Sequence, residues 1–288
     1  MKKLLVFLLL IPFFVFAQSS WKRSETPTFS KVELFHSSKS ANYPTTESLL
    51  QGNFVFEISH RFGSINGGYD NFYGLDDANI RFSLGYGITD GIMVTLGRSS
   101  VYANTDLAVK FKVLDLEDDK MPSAIALNVG LTVTNQNVNG TEIQTFNADY
   151  MQYFGQLVYN IAFFDKKLAV GIVPSFIYNS YVFAASYGQD KESTISLGVY
   201  SQYYFNRMWS IWFDYTTVVN GYKNAFYDDD TEVYDPISFG TAIETGGHIF
   251  HVFITNSHYL NPTQFLTGTE FNTESEAWRF GFGITRQL

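Results

Sequence analysis

The chain has no cysteine, which removes disulfides, thiolate catalysis, sulfur-ligated metals and the acylated cysteine of a lipoprotein. Charge is scarce, at 16% of residues, and it tilts acidic, with 19 basic side chains against 28 acidic ones. That balance argues against nucleic acid as a partner. Long apolar runs are also missing: beyond the first twenty residues none reaches the roughly 18 needed for a spanning helix. No cofactor is expected.

The first twenty residues read as a secretory signal. Lys2 and Lys3 form a basic start, Leu4 to Phe16 an apolar stretch, and Val15 and Ala17 stand where a signal peptidase takes small residues. The stretch of about 13 apolar residues is too short for an anchor, which needs roughly 20. The expected division is residues 1–17 as signal peptide, 18–51 as an irregular N-terminal segment and 52–288 as the folded body. Losing Lys2 and Lys3 takes the basic count from 19 to 17 and the net charge from −9 to −11.

What the chain has in excess is aromatic residues, 18% of the total, and alternation. In Arg81-Phe82-Ser83-Leu84-Gly85-Tyr86-Gly87-Ile88 every even position is bulky and apolar and every odd one small or polar. A period of two means strands with one apolar and one wetter face. Twelve such runs follow one another: 53–62, 78–89, 92–99, 105–114, 123–134, 150–163, 167–178, 193–205, 208–219, 236–244, 248–255 and 276–286. Most are longer than the 5 or 6 residues usual in a soluble sandwich, and they match a tilted membrane strand. In hydrocarbon an open sheet edge leaves backbone groups unpaired, so the strands must close.

The expected fold is therefore all-β, a closed antiparallel transmembrane β-barrel of about 12 strands in the outer membrane. Connections alternate between long polar loops and tight turns such as Thr89-Asp90-Gly91. An even count places both termini on the periplasmic side. Two joints fit less well: Ser100–Asn104 is short for an outer loop and Asp115–Pro122 long for a turn, which keeps 10 or 14 strands open. Aromatic girdles at the two membrane interfaces account for the aromatic excess. Trp278, Phe280, Phe282, Ile284 and Leu288 resemble the C-terminal signal read by barrel-assembly machinery, with Leu in place of the commoner Phe. Outer-membrane lipid and that machinery are the expected partners, with a small solute as cargo.

Several stretches together resemble one family. They are His60-Arg61-Phe62-Gly63, Asn66-Gly67-Gly68-Tyr69-Asp70-Asn71-Phe72-Tyr73-Gly74-Leu75-Asp76 and Ala78-Asn79-Ile80-Arg81. Tyr86-Gly87-Ile88-Thr89-Asp90, Gly97-Arg98-Ser99, Glu244-Thr245-Gly246-Gly247-His248-Ile249-Phe250 and Thr255-Asn256-Ser257 fit the same pattern. The chain is similar over nearly its whole mature length to the outer-membrane β-barrels grouped as domain-of-unknown-function family 5777. The resemblance implies a barrel. That family has no established activity, so it implies no catalytic residue.

The polar faces carry the functional candidates. Glu57, Arg61, Arg81, Asp106, Lys110, Lys112, Asp214 and Glu244 fall on the wet side of their strands. Such charges would line a pore and set up a field that orients solutes. Paired with one another, they would instead fill a closed lumen. The first reading makes a channel or small-solute transporter, the second an accessory barrel serving a partner protein. The loop 63–77, rich in Gly, Asn and Asp, is a candidate for a pore-constricting segment or a Ca²⁺ site, against the default of a turn-rich loop. The cluster Asp228, Asp229, Asp230, Glu232 and Asp235 would bridge divalent cations or form a solvated loop tip. His60, His248, His251 and Ser257 raise a third reading, a lipid hydrolase with Ser and His on the strand surface, but no motif fixes that geometry. No enzymatic activity is expected.

Overall fold

A computed structural model describes residues 32–137, 146–182, 192–223, 232–274 and 278–288. The signal-peptide residues lie outside them, as do Asp228, Asp229 and Asp230. Alternation folds into strands wherever the sequence carries it: β1 Phe54–Ser64, β2 Ala78–Thr89, β3 Ile92–Ser99, β4 Thr105–Leu116, β5 Ser123–Val133 and β6 Met151–Phe163. The second half adds β7 Leu168–Tyr178, β8 Ser193–Tyr204, β9 Trp209–Gly221, β10 Ile237–Thr245, β11 His248–Thr255 and β12 Arg279–Gln287. Every neighbour in sequence is an antiparallel neighbour in space. β1 closes on β12 through pairs such as Glu57↔Thr285 and Ser59↔Gly283. The ladder has no free edge, which is what a sheet in lipid requires. Among the described residues no helix is long and apolar enough to cross a membrane.

The two faces separate as the period of two demands. In β2, Phe82 and Leu84 are 49% and 47% exposed while Arg81 and Ser83 are buried. Tight turns and both strand termini gather at one end of the barrel, hereafter the turn end, and the longer connections at the other, the loop end. The two awkward joints have local explanations. A register shift between Lys112 and Leu114 carries β4 on to Leu116. The turn that remains is closed by Asp118, whose carboxylate accepts the N–H groups of Lys120 and Met121. The short joint is a single 3₁₀ turn, Val101–Ala103, with Tyr102 and Ala103 at positive φ.

Two segments enter the barrel. The described part of the N-terminal segment, 32–52, contains no helix and folds as a hairpin inside the lumen. Ser40 N–H donates to the Tyr43 carbonyl at 2.8 Å and Thr45 N–H to the Ser38 carbonyl at 3.1 Å, which makes the tip. Both legs return to the turn end. The Val32 carbonyl accepts from Lys112, next to the β2–β3 turn, and Gln51 N–H donates to Asp90 within that turn. From the loop end, the β11–β12 connection folds inward with α1, the single turn Pro262–Phe265. Asn261 caps α1 by accepting the Thr263 N–H, and proline takes the first turn, where its missing N–H costs nothing. The loop 63–77, the sequence candidate for constriction, instead lies on the outside as an exposed 3₁₀ segment, Ile65–Gly74. Its glycines and Asn71 serve its own turns: Asn71 accepts Gly74 N–H.

Candidate functional site

The site is the lumen, and it is built from two unlike walls. On the β5–β8 side the inward residues include Ala124, Ala126, Val158, Ala162, Ala169 and Val173, all fully buried. The apolar face of the hairpin, Leu34, Phe35 and Tyr43, packs there together with Phe265 and Leu266 of the inward loop. Space for the rings comes from absent side chains. A Cβ at Gly198 would lie 2.2 Å from Tyr43 Cζ, and one at Gly171 2.2 Å from Tyr200 Cζ. Tyr43 stacks on Tyr200 with centroids 5.7 Å apart, and its hydroxyl bonds to Thr216.

On the other side, β1 to β4 with β9 and β10, the wall is charged. All eight candidate residues point inward, and their partners decide what the charge is for. Glu57 accepts from Lys39 Nζ at 2.7 Å, and Ser59 and Ser83 complete its shell. Arg61 donates to Asn42 Oδ1 at 2.5 Å and lies over the Phe253 ring at 4.4 Å. The same Asn42 donates its amide to Asp214 at 2.9 Å and to Ser238 at 3.1 Å. One neutral side chain thus joins a buried cation to a buried anion, and its orientation follows from having an acceptor on one side and a donor on the other. Lys110 donates to the carbonyls of Ser38 and Thr45 at 2.8 and 3.0 Å. Lys112 reaches the Val32 carbonyl at 3.3 Å and Asp115 at 2.8 Å. Glu244 holds His36 at 2.6 Å, and the His36 ring stacks on Tyr204.

Among the eight, the described wall-to-wall ion pairs all centre on Arg81, which meets Asp106 at 2.7 and 2.9 Å and Glu57 at 3.7 Å. Asn261 extends that pair to the inward loop by donating to Asp106 at 3.0 Å and to Asn104 at 2.6 Å. Within the hairpin, Glu47 ties the two legs together by accepting the N–H groups of Leu34 and Phe35. Burial, the largest influence, lifts its carboxyl from the ordinary range to about 7, against the pull of the Leu34 N–H.

The residues with most to do here, Lys39, Asn42, Tyr43 and Asn261, lie in segments without periodicity, where pattern reading has no purchase. Two local signals were present. Gly171 and Gly198 on inward positions of strands mark a close approach, and Asn261-Pro262 marks a helix start.

The remaining candidates separate in space. His60 faces outward against Phe62 and Phe282, with Ile80 and Phe282 as its cross-strand partners. His248 faces outward beside Arg286, while His251 faces inward against Trp212. Ser257 engages Tyr259 N–H. These groups form no Ser–His hydrogen bond among the described residues. No group of His, Asp and Glu among the described residues is arranged to hold a metal ion. Of the acidic loop, Glu232 and Asp235 accept from Tyr234 and Tyr215.

Residues 35–288 match a family model described as a membrane bound beta barrel domain, DUF5777, and the match takes in most of the hairpin as well as the barrel. No curated protein matches the chain. Among solved structures, an outer membrane channel from Pseudomonas putida F1 is 13% identical, with 84% of this chain and 98% of that one covered and a TM-score of 0.50. The NanC porin is 13% identical over 81% of this chain and 97% of its own, with a TM-score of 0.46. Outer membrane phospholipase A from Escherichia coli is 8% identical over 82% and 90%, with a TM-score of 0.39. At these identities the likeness bears on the fold alone. The chain belongs to domain-of-unknown-function family 5777 and is an outer-membrane β-barrel protein.

Proposed function

We propose that the protein is a channel for small polar solutes that rests closed, with its own N-terminal hairpin as the plug. One observation carries this. Six of the eight charged wall residues, Glu57, Arg61, Lys110, Lys112, Asp214 and Glu244, take a partner from residues 32–44 or Thr45 of the hairpin. A lattice meant to fill the lumen permanently would pair wall with wall throughout, whereas among the eight the described pairs of that kind are confined to Arg81 with Asp106 and Glu57. Water can take over hydrogen bonds of this kind at small net cost, so withdrawing the hairpin leaves a wall fit for an aqueous path. The hairpin is tethered at the turn end, which we place toward the periplasm by the usual asymmetry of turns and loops. Nothing in the lumen performs covalent chemistry in this reading, and the protein is not an enzyme.

The accessory-barrel reading also has an observation in its favour, since α1 and its flanks close the lumen a second time from the loop end. Planar-bilayer recordings separate the two. The full chain is expected to give rare openings, and a chain lacking residues 32–50 steady conductance steps. A deleted chain that folds, judged by its heat-modifiable gel mobility, yet stays electrically silent would overturn the channel.

A further inference from the structure

A cavity of about 80 Å³ remains between the hairpin, β1–β6 and the inward loop. At roughly 10–15 Å³ per water it has room for several waters or one small solute. Its charges are unevenly matched. Lys39, Arg81 and Lys110 line it on the cationic side, Glu57 and Asp106 on the anionic side. Both carboxylates are already held, Glu57 by Lys39 and Asp106 by Arg81. Lys110 is buried, and its only described partners are two neutral backbone carbonyls. The Arg81 Nε–H is likewise buried and has no partner among the described residues. Glu47, the acid that acts on Lys110 at longer range, does not line the cavity; its Oε1 is committed to Leu34 and Phe35, and its Oε2 is buried without a partner among the described residues. Met93 and Leu260 add apolar surface to the lining.

A buried ammonium on a cavity wall whose contacts are two neutral carbonyls asks for an anionic oxygen. We infer that this cavity is a subsite for a small carboxylate-bearing solute, its carboxylate on Lys110 and its short carbon chain on Met93 and Leu260. A cation of the same size would meet only carboxylates that are already neutralised. Because Ser38, Lys39 and Asn42 of the hairpin form one wall, movement of the plug opens the subsite toward the turn end. The inference rests on the channel reading for its place on a transport path, but binding itself can be tested apart.

The test uses the purified full chain in detergent micelles, with saturation-transfer NMR of propionate against ethylammonium and propanol, neither of which is larger and so neither of which is excluded by size. Propionate is expected to bind and the other two not. Lys110→Met removes the charge and is expected to weaken propionate at least about tenfold, the worth of one charge-assisted hydrogen bond. Because Lys110 also holds the hairpin, Ala108→Leu serves as a second variant: it keeps every charge and fills the cavity, and it too is expected to lose binding. Ethylammonium binding as well as propionate would overturn the inference. So would folded Ala108→Leu protein that binds propionate like the parent. Conductance of the deleted chain without propionate binding by the full chain sinks the subsite alone. Propionate binding with silent bilayers sinks the transport reading and leaves the subsite standing.

Discussion

Tyr43 and Phe265 meet edge to face inside the barrel, with ring centroids 5.4 Å apart and planes 80° apart. Tyr43 belongs to the hairpin tethered at the turn end and Phe265 to α1, which enters from the loop end. The contact is where the two closures touch, and it couples them. An aromatic pair of this geometry is worth about 0.5–1.5 kcal/mol beyond the area it buries. Phe265→Ala should therefore loosen the hairpin as well as the loop. The amide of Thr46, which donates to Asn160 Oδ1 at 2.7 Å, should exchange with solvent faster in Phe265→Ala and in Tyr43→Ala. The double variant should add little to either single one. Strict additivity in exchange rate would mean that the two closures act separately.

The space for Tyr43 is itself a target. A methyl at Gly198 would overlap the Tyr43 ring, which backs onto the wall and cannot retreat without leaving Thr216. Gly198→Ala should leave the barrel folded and unseat the hairpin, raising the open probability in bilayers. Gly155→Ala in β6, where the nearest atom to the new Cβ is 4.0 Å away, should change nothing. Equal conductance in the two variants would remove the plug from the account.

The chain carries no cysteine, so one introduced thiol reports without background. Ser40 at the hairpin tip is buried. Ser40→Cys should react slowly with a water-soluble maleimide in the parent and much faster when Gly198→Ala is added. A thiol that reacts at the free-cysteine rate in the parent would mean that the tip is already out of the lumen.

The barrel was legible because its signal repeats in every element: β2, β3 and β11 run between the same residues as the alternation does. Boundaries moved where a bulge intervened, as between Lys112 and Leu114. The inward direction of Glu57 or Asp214 was legible for the same reason, as it follows from parity along a strand. Their partners were not. Lys39, Asn42 and Tyr43 sit in a non-repetitive segment whose conformation is set by the wall around it, through contacts more than a hundred residues away, such as Asn42 with Asp214. The loop with the richest turn chemistry, 63–77, was the natural candidate for the lumen, yet turn formers satisfy their own backbone and need no wall. The loop that enters is the one with Tyr259, Leu260, Phe265 and Leu266 to bury.

Pairing across the wall and pairing to the plug should respond differently when the hairpin is removed. Asp106 accepts from Arg81 at 2.7 Å, and both remain when residues 32–50 are deleted. Asn42, in contrast, is the only described link between Arg61 and Asp214. Asp106→Asn should lower the thermal midpoint of the full and the deleted chain by similar amounts, because it weakens the barrel itself. Asn42→Ala should act on the full chain alone, costing about 1–3 kcal/mol by leaving a buried cation and a buried anion each short of a hydrogen bond. Lys39→Ala should cost less, since Glu57 keeps Ser59, Ser83 and the nearby Arg81. Thermal melts of the three variants in one detergent decide the order. If Lys39→Ala proved the most damaging, the hairpin would be held by its one direct ion pair to β1 rather than by the amide that bridges β1 and β9.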